Sequence, residues 1–295
     1  MELSVIVPTY NRKHLLRRCM DSLIRQDYPG DKFEVIVVDD GSTDGTEESI
    51  KKIQTDRIIR YFRLKRNLGP ATARNSGLRE AKAEIITFID DDIIASDKQW
   101  IKKIVYFHRR FSEEHVIQGG LLNSSGRNIF GLTWKFILDM YIAETMVIDD
   151  KDNTKKYIDV LGGANASFKK NILEELGGYN ENLRVGEDID LKYRLQEKGI
   201  KVLYVPEISA THFYRSNIFS FIKYEFKKGR GRYHLINRLK TKDNKRAEIN
   251  LWNRVTFRKA YALYGIKAVF IFTIFLIKSK VSLLGRGYER LSTLK

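Results

Sequence analysis

The amino-acid sequence predicts an α/β fold, and three features carry that prediction. Short runs rich in Val and Ile recur early in the chain, LSVIV, FEVIVV, RIIRYF and EIITFI, and three of them are continuous enough to be buried on both faces of a sheet. Between them, Lys13 to Ile24, Thr46 to Ile53 and Pro70 to Ala81 have helical length and composition. Strand and helix alternate about every 25 to 30 residues, which is the rhythm of right-handed βαβ units in a mainly parallel sheet.

Each element has a local reason. The first strand runs from Leu3 into Pro8-Thr9-Tyr10-Asn11, and its helix begins at Lys13. The second strand empties into Asp39-Asp40-Gly41-Ser42-Thr43-Asp44-Gly45-Thr46, a cluster of turn-forming residues. Pro70 stands where a helix takes proline at its first turn. The fourth strand ends in Asp90-Asp91-Asp92, three like charges that repel one another and hydrogen-bond their own backbone in turns. Either a solvated strand-to-loop junction or a bound cation accounts for that triplet, and hard cations such as Mg2+ or Mn2+ take carboxylate oxygens.

Composition bounds the rest. A chain of 295 residues with 43% apolar side chains can bury a sizeable core. Cys19 is the sole cysteine, which excludes an intramolecular disulfide and a cysteine-cluster metal site. The start, MELSVIVPTYN, has neither a basic n-region nor a cleavage site, so no signal peptide is expected. The formal charge of +16 is uneven: residues 213–295 hold 20 Lys and Arg against 4 Asp and Glu, which is the whole excess. The chain therefore divides into a neutral domain, 1–212, and a basic region, 213–295, that meet different partners.

Open α/β sheets bind ligands beyond the carboxyl ends of their strands, at a switch in strand order. The polar clusters after the first, second and fourth strands would share one edge and form one cleft. A Walker A loop and a GxGxxG fingerprint are both absent, so ordinary P-loop and dinucleotide readings have no support. The cleft still suits a nucleoside diphosphate: carboxylates for a metal and for base or ribose donors, Gly41 and Gly45 for close backbone approach, and Arg74 for phosphate.

LSVIVPTYN, VVDDGSTDGT, the segment from Asn67 to Gly77 (NLGPATARNSG), the acidic triplet, GGANASF from Gly162 and GEDIDL from Gly186 follow one another in order. This series resembles glycosyltransferase family 2, inverting enzymes of the GT-A fold, a Rossmann-like mixed sheet flanked by helices, over about residues 3 to 212. The resemblance implies transfer of a sugar from a nucleotide-sugar, a UDP-sugar foremost, to a hydroxyl of a glycan or polyprenyl-linked acceptor in envelope or polysaccharide assembly, with Mg2+ or Mn2+ as cofactor. It assigns Pro8, Thr9, Tyr10, Asp40, Arg74, Asp90 and Asp91 to the nucleotide-sugar, Asp92 and His212 to the metal, and Gly162, Gly163, Asn165 and Glu187 to the acceptor side. Asp188 matches the base that deprotonates the acceptor hydroxyl. Read from residues alone, Asp39 fits a turn as well as a contact, Arg74 fits an ion pair with an Asp as well as phosphate, and Glu187, Asp188 and Asp190 fit first-turn acids favoured by a helix dipole.

The basic region mixes aromatics with KKGRGR (227–232), and the run from Tyr261 to Ile277 is at the short end of a membrane span, with Lys267 inside it and basic residues on both flanks. Helices lying on, or partly inserted in, the cytoplasmic face of an anionic membrane fit this pattern, and a helix packed on the catalytic domain is the plainer alternative. No nucleic acid is expected as a partner, since that reading leaves the acidic cleft without a role. A nucleotidyltransferase would leave GEDIDL without one. A soluble transferase acting on a protein or a free sugar remains the nearest competitor.

Overall fold

In the computed structural model the described residues are 1–123, 146–148, 155–213 and 267–292, with short pieces between 132 and 142 and between 219 and 230. They fall into two compact units, Met1–Leu122 with Thr145–His212, and Asn123–Glu144 with Phe213–Lys295. The first unit carries strands β1 (Leu3–Thr9), β2 (Phe33–Asp39), β3 (Ile58–Arg63), β4 (Ile85–Phe88), β5 (Ile93–Ala95), β6 (Val116–Asn123), β7 (Val147–Ile148), β8 (Lys156–Ile158), β9 (Ala166–Lys169) and β10 (Val202–His212). Its helices are α1 (Lys13–Ile24), α2 (Thr46–Lys51), α3 (Pro70–Glu80), α4 (Trp100–Arg110), α5 (Lys170–Glu175) and α6 (Glu187–Glu197).

The sheet order is β3-β2-β1-β4-β9-β6-β10-β8-β7, with β5 paired to β10. β1 pairs in parallel with both β2 and β4, and β2 with β3. Every residue of β1 and β2 is buried, as their unbroken Val and Ile runs require of strands covered on both faces. Helix α1 buries Leu16, Cys19, Met20 and Leu23, one stripe at helical spacing. Gly77 of α3 is the contact point with the sheet: a Cβ there would stand 2.5 Å from Ile6 Cγ2. From β9 onward the pairing is antiparallel, as in β4 with β9 and β6 with β9, so the sheet is mixed rather than parallel throughout. The strand order reverses at β1 and β4, and the polar loops after β1, β2 and β4 open at that switch.

Asn165 braces the antiparallel half. Its backbone is left-handed, with φ of 55°, and its side chain is buried. Nδ2 donates to the carbonyls of Gly120 and Ile208, each at 2.8 Å, and Oδ1 accepts from Trp100 Nε1 at 2.8 Å. Gly119 has no room for a side chain, since its Cβ would lie 2.3 Å from the Ile208 carbonyl oxygen. One amide thus joins β9, β6, β10 and α4 with no donor left over, which is a reason for asparagine independent of any ligand.

In the second unit, α7 (Lys267–Ser292) packs on the helical residues 221–227 and 229–230 through small side chains. A Cβ on Gly229 would stand 2.0 Å from the Ser282 carbonyl oxygen, and one on Gly285 would stand 2.3 Å from that of Phe226. Arg230 Nε donates to Glu289 Oε2 at 2.5 Å. Ser282 and Glu289 of α7 and Glu225 are buried, as are Phe136 and Phe221, while Leu276, Leu283, Leu284 and Tyr288 are exposed. Three leucines of α7 therefore stand outward among its described residues. Among the described residues no helix is long and apolar enough to cross a membrane. Residues 261–266 of the apolar run, and Lys228, Gly231 and Arg232 of the basic cluster, lie outside the described residues.

Asn165→Ala leaves an indole N–H and two carbonyls without partners and should lower unfolding stability by about 3 kcal/mol. A urea titration of the full chain checks this. An unchanged midpoint would show that the bracing role is wrong.

Candidate active site

The first two loops are sewn together before any side chain meets a ligand. Asn11, at a left-handed φ of 51°, donates its N–H to Ser42 Oγ at 2.8 Å and accepts the Thr43 N–H on Oδ1 at 2.7 Å. Asp44 accepts the Lys13 N–H at 3.0 Å, placing a carboxylate at the start of α1. Asp39 accepts from the Ser42 N–H and from the Tyr61 hydroxyl, closing its own turn. Asp40 accepts from the Leu68 and Gly69 N–H groups, at 2.7 and 2.8 Å, and from Asn67 Nδ2 at 2.9 Å, so it ties the second loop to the start of α3. Gly41 allows this crossing, because a Cβ there would come within 2.9 Å of the Arg66 backbone.

The triplet Asp90-Asp91-Asp92 lies between β4 and β5, and each carboxylate meets a different element. Asp91 is buried, accepting from Thr9 Oγ1 at 2.8 Å and from Arg12 Nη1 at 3.0 Å. Burial pushes its carboxyl up to about 6, with Arg12 pulling the other way. Asp92 accepts from the same Arg12 nitrogen at 3.1 Å, and its other oxygen lies 3.5 Å from His212 Nε2 at the end of β10. Asp90 accepts from Arg74 Nη2 at 2.7 Å; enclosure in the cleft raises its carboxyl above the ordinary range, and Arg74 opposes that. Asp92 supplies a carboxylate oxygen, the ligand type of Mn2+ or Mg2+, and His212 places an imidazole nitrogen beside it. Among the described residues no group of three or more His, Cys, Asp or Glu converges on one point, so such an ion would need further ligands from diphosphate and water.

Arg74 cross-links the acidic triplet to the start of α6. Its other terminal nitrogen donates to Glu187 Oε1 at 2.6 Å, and the guanidinium lies over the Tyr179 ring, 5.3 Å from the centroid. Burial works against its charge, but Asp90 and Glu187 more than compensate and raise its pKa. Gly163 makes room for it, since a Cβ there would stand 2.9 Å from Nη2. Breaking such a buried pair by removing one member costs about 3 to 5 kcal/mol.

Glu187 opens α6, and burial raises its carboxyl against the pull of Arg74. Asp190 is also buried and is held by Arg194 at 2.8 Å within its own helix. Asp188 lies between them, half-buried, accepts the N–H of Ile189, and forms no ion pair among the described residues. The three first-turn acids therefore have three different surroundings. Pro8 and Thr9 are buried at the end of β1, whereas the Tyr10 ring is exposed beside them. Gly162 donates its N–H to Gln118 Oε1, and Asn165 is the buried brace described above.

The geometry thus gathers Thr9, Arg12, Asp91 and Asp92, with His212, on one side, and Arg74, Asp90 and Glu187 on the other, joined through the triplet. Asp40, Gly162 and Asn165 are engaged with loop and sheet partners. Two participants were not singled out in the sequence: Arg12, whose only signal is a cation just after PTYN, and Tyr179, whose role depends on a contact 105 residues from Arg74.

The chain is similar to known proteins over much of its first unit. The family model for glycosyl transferase family 2 matches residues 4–177. A validoxylamine A glucosyltransferase of Streptomyces hygroscopicus subsp. limoneus is 31% identical over 222 residues, covering 67% of this chain and 48% of that protein. The poly(ribitol-phosphate) beta-N-acetylglucosaminyltransferase TarS of Staphylococcus aureus strain Mu50 is 41% identical over 130 residues, 43% of this chain and 22% of that protein. The chain spans about half the length of the curated relatives it matches first. Among solved structures, the mannosyltransferase PcManGT of Pyrobaculum calidifontis, in complex with GDP-Man and Mn2+, superposes with a TM-score of 0.64 at 20% identity, over 99% of this chain and 84% of that one. S. aureus TarS 1-349 in complex with UDP-GlcNAc gives 0.61 at 19% identity, over 99% and 92%. The mixed sheet flanked by helices is that of the GT-A fold. The chain belongs to glycosyltransferase family 2.

Proposed function

We propose that this protein is a metal-dependent inverting glycosyltransferase that moves a sugar from a nucleotide-sugar to a hydroxyl of a glycan or lipid-linked acceptor. The observation that carries this reading is the Arg74 cross-link, which sets the start of α6, and with it Asp188, against the acidic triplet. Pro8, Thr9 and Asp40 form the nucleoside end, and the exposed Tyr10 ring offers a face for a base. Asp90 and Asp91 line the path from ribose to diphosphate. Asp92 and His212 hold Mn2+ or Mg2+, which when bound neutralises charge on the departing diphosphate.

Asp188 is the base. Its carboxylate takes the acceptor hydroxyl proton as that oxygen attacks the anomeric carbon, the bond to the diphosphate breaks on the opposite side, and configuration inverts. Glu187 positions it through Arg74, whose guanidinium takes the space that Gly163 leaves, and the acceptor side of the site begins beyond that contact. A UDP-sugar is the favoured donor; related folds described with UDP-GlcNAc and with GDP-Man support a nucleoside diphosphate in general. The printed names of the relatives, one acting on validoxylamine A and one on poly(ribitol-phosphate), support an acceptor hydroxyl on a glycan or polyol, in keeping with envelope or polysaccharide assembly.

The second unit directs the enzyme to its acceptor at the cytoplasmic face of an anionic membrane, peripherally or partly inserted. Its excess of cations and its outward leucines over a small-residue helix contact support that partner.

Asp188→Asn should lower transfer by about 10² to 10⁴-fold while leaving nucleotide affinity within about twofold. Steady-state rates and calorimetric titration on the same protein check this, and near-normal turnover would remove Asp188 from the base role. The full chain should float with phosphatidylglycerol vesicles at low salt and not with phosphatidylcholine alone. Leu283→Asp with Leu284→Asp should weaken that flotation. Wild-type protein that stays in the bottom fraction with anionic vesicles would sink the membrane assignment.

A further inference from the structure

We infer that Arg12 is the resident counter-cation of the acidic triplet and that it makes divalent-cation uptake at Asp92 depend on the arrival of a diphosphate. This rests on the reading of the cleft as a nucleotide-sugar and metal site. One nitrogen, Nη1, spans Asp91 Oδ1 at 3.0 Å and Asp92 Oδ2 at 3.1 Å. No bond from Nε or Nη2 is formed among the described residues, so most of the donor fork is unused. The backbone beneath is fixed, because Asn11 and Lys13 on either side are both bonded to the loop after β2.

The contrast with Arg74 defines the role. Arg74 has 4% of its side chain exposed, uses both terminal nitrogens on carboxylates and is confined by Gly163 and Tyr179. Arg12 has 35% exposed and can leave its carboxylates without opening the core. A guanidinium on Asp92 and a divalent cation on Asp92 repel each other across one carboxylate, so the empty cleft disfavours the metal. A diphosphate reverses the balance. It brings negative charge for both cations and gives the planar guanidinium a bidentate acceptor, so Arg12 moves from the triplet to the phosphates as the metal takes Asp92. Metal and nucleotide then bind with positive coupling, and the coupling runs through this side chain.

The test is titration of Mn2+ into the full chain, followed by electron paramagnetic resonance of the free ion, alone and with saturating UDP or GDP. It is applied to wild type, Arg12→Gln, Arg12→Lys and Asp92→Ala. Wild type should bind Mn2+ at least about fivefold more tightly with the nucleotide than without it. Arg12→Gln should bind Mn2+ alone more tightly than wild type and bind the nucleotide with Mn2+ more weakly, two changes of opposite sign. Arg12→Lys should keep the wild-type order of affinities, and Asp92→Ala should abolish the Mn2+ uptake. Arg12→Gln that weakens both affinities, or changes neither, overturns the inference while leaving the metal reading intact. Wild type that takes up no Mn2+ with either nucleotide overturns the metal reading and the inference together.

Discussion

Three adjacent carboxylates at the end of one strand are the constraint around which this protein is organised. Two unit charges 4 Å apart interact by about 4 kcal/mol at the effective dielectric near a protein surface, so the triplet cannot stand without cations drawn from elsewhere. Arg74 comes from α3 to Asp90 and Arg12 from the start of α1 to Asp91 and Asp92, while the His212 imidazole at the end of β10 lies 3.5 Å from Asp92. Thr9 at the end of β1 adds a hydroxyl donor. Local repulsion in the sequence thereby becomes tertiary attraction, and the elements that answer it define the walls of the cleft.

The two arginines do different physical work. Arg74 is enclosed and doubly paired, so it fixes the distance between the triplet and α6. Gly163 is part of that arrangement, since any side chain there would strike the guanidinium. Arg12 is about one-third exposed and holds both of its carboxylates through one nitrogen, so it can respond to a charged ligand. An enclosed cross-link beside a partly exposed cation fits the proposed site, which would hold its base in place while its charge changes on binding and release.

Much of this was legible beforehand. α1 runs over the residues expected of it, and α3 begins at Pro70, because proline at a first turn and an apolar stripe are local signals. α2 stops at Lys51 rather than Ile53, the ordinary uncertainty of a frayed end. The parallel half of the sheet follows from its buried Val and Ile runs. In the antiparallel half SFKK and the apolar run before His212 read as strands, whereas β5, β7 and β8 have two or three residues each, too few for a period to show. Charge partners were harder still. Arg74 could be read as a phosphate ligand or as an ion pair with an Asp, and the Glu187 partner lies 113 residues away. Gly163 and Asn165 stand in an acceptor-like motif, yet the space one yields to Arg74 and the sheet bonds the other makes appear only in three dimensions.

The central claim is that the triplet serves a nucleoside diphosphate and a divalent cation, rather than being a solvated loop. The most direct measurement is a thermal-shift series on the full chain with UDP, GDP, CDP and dTDP, each with and without Mn2+, repeated on Asp92→Ala. Stabilisation by one nucleotide that requires both Mn2+ and Asp92 is the predicted result. A folded protein that none of the four nucleotides stabilises, with or without the metal, would contradict the account.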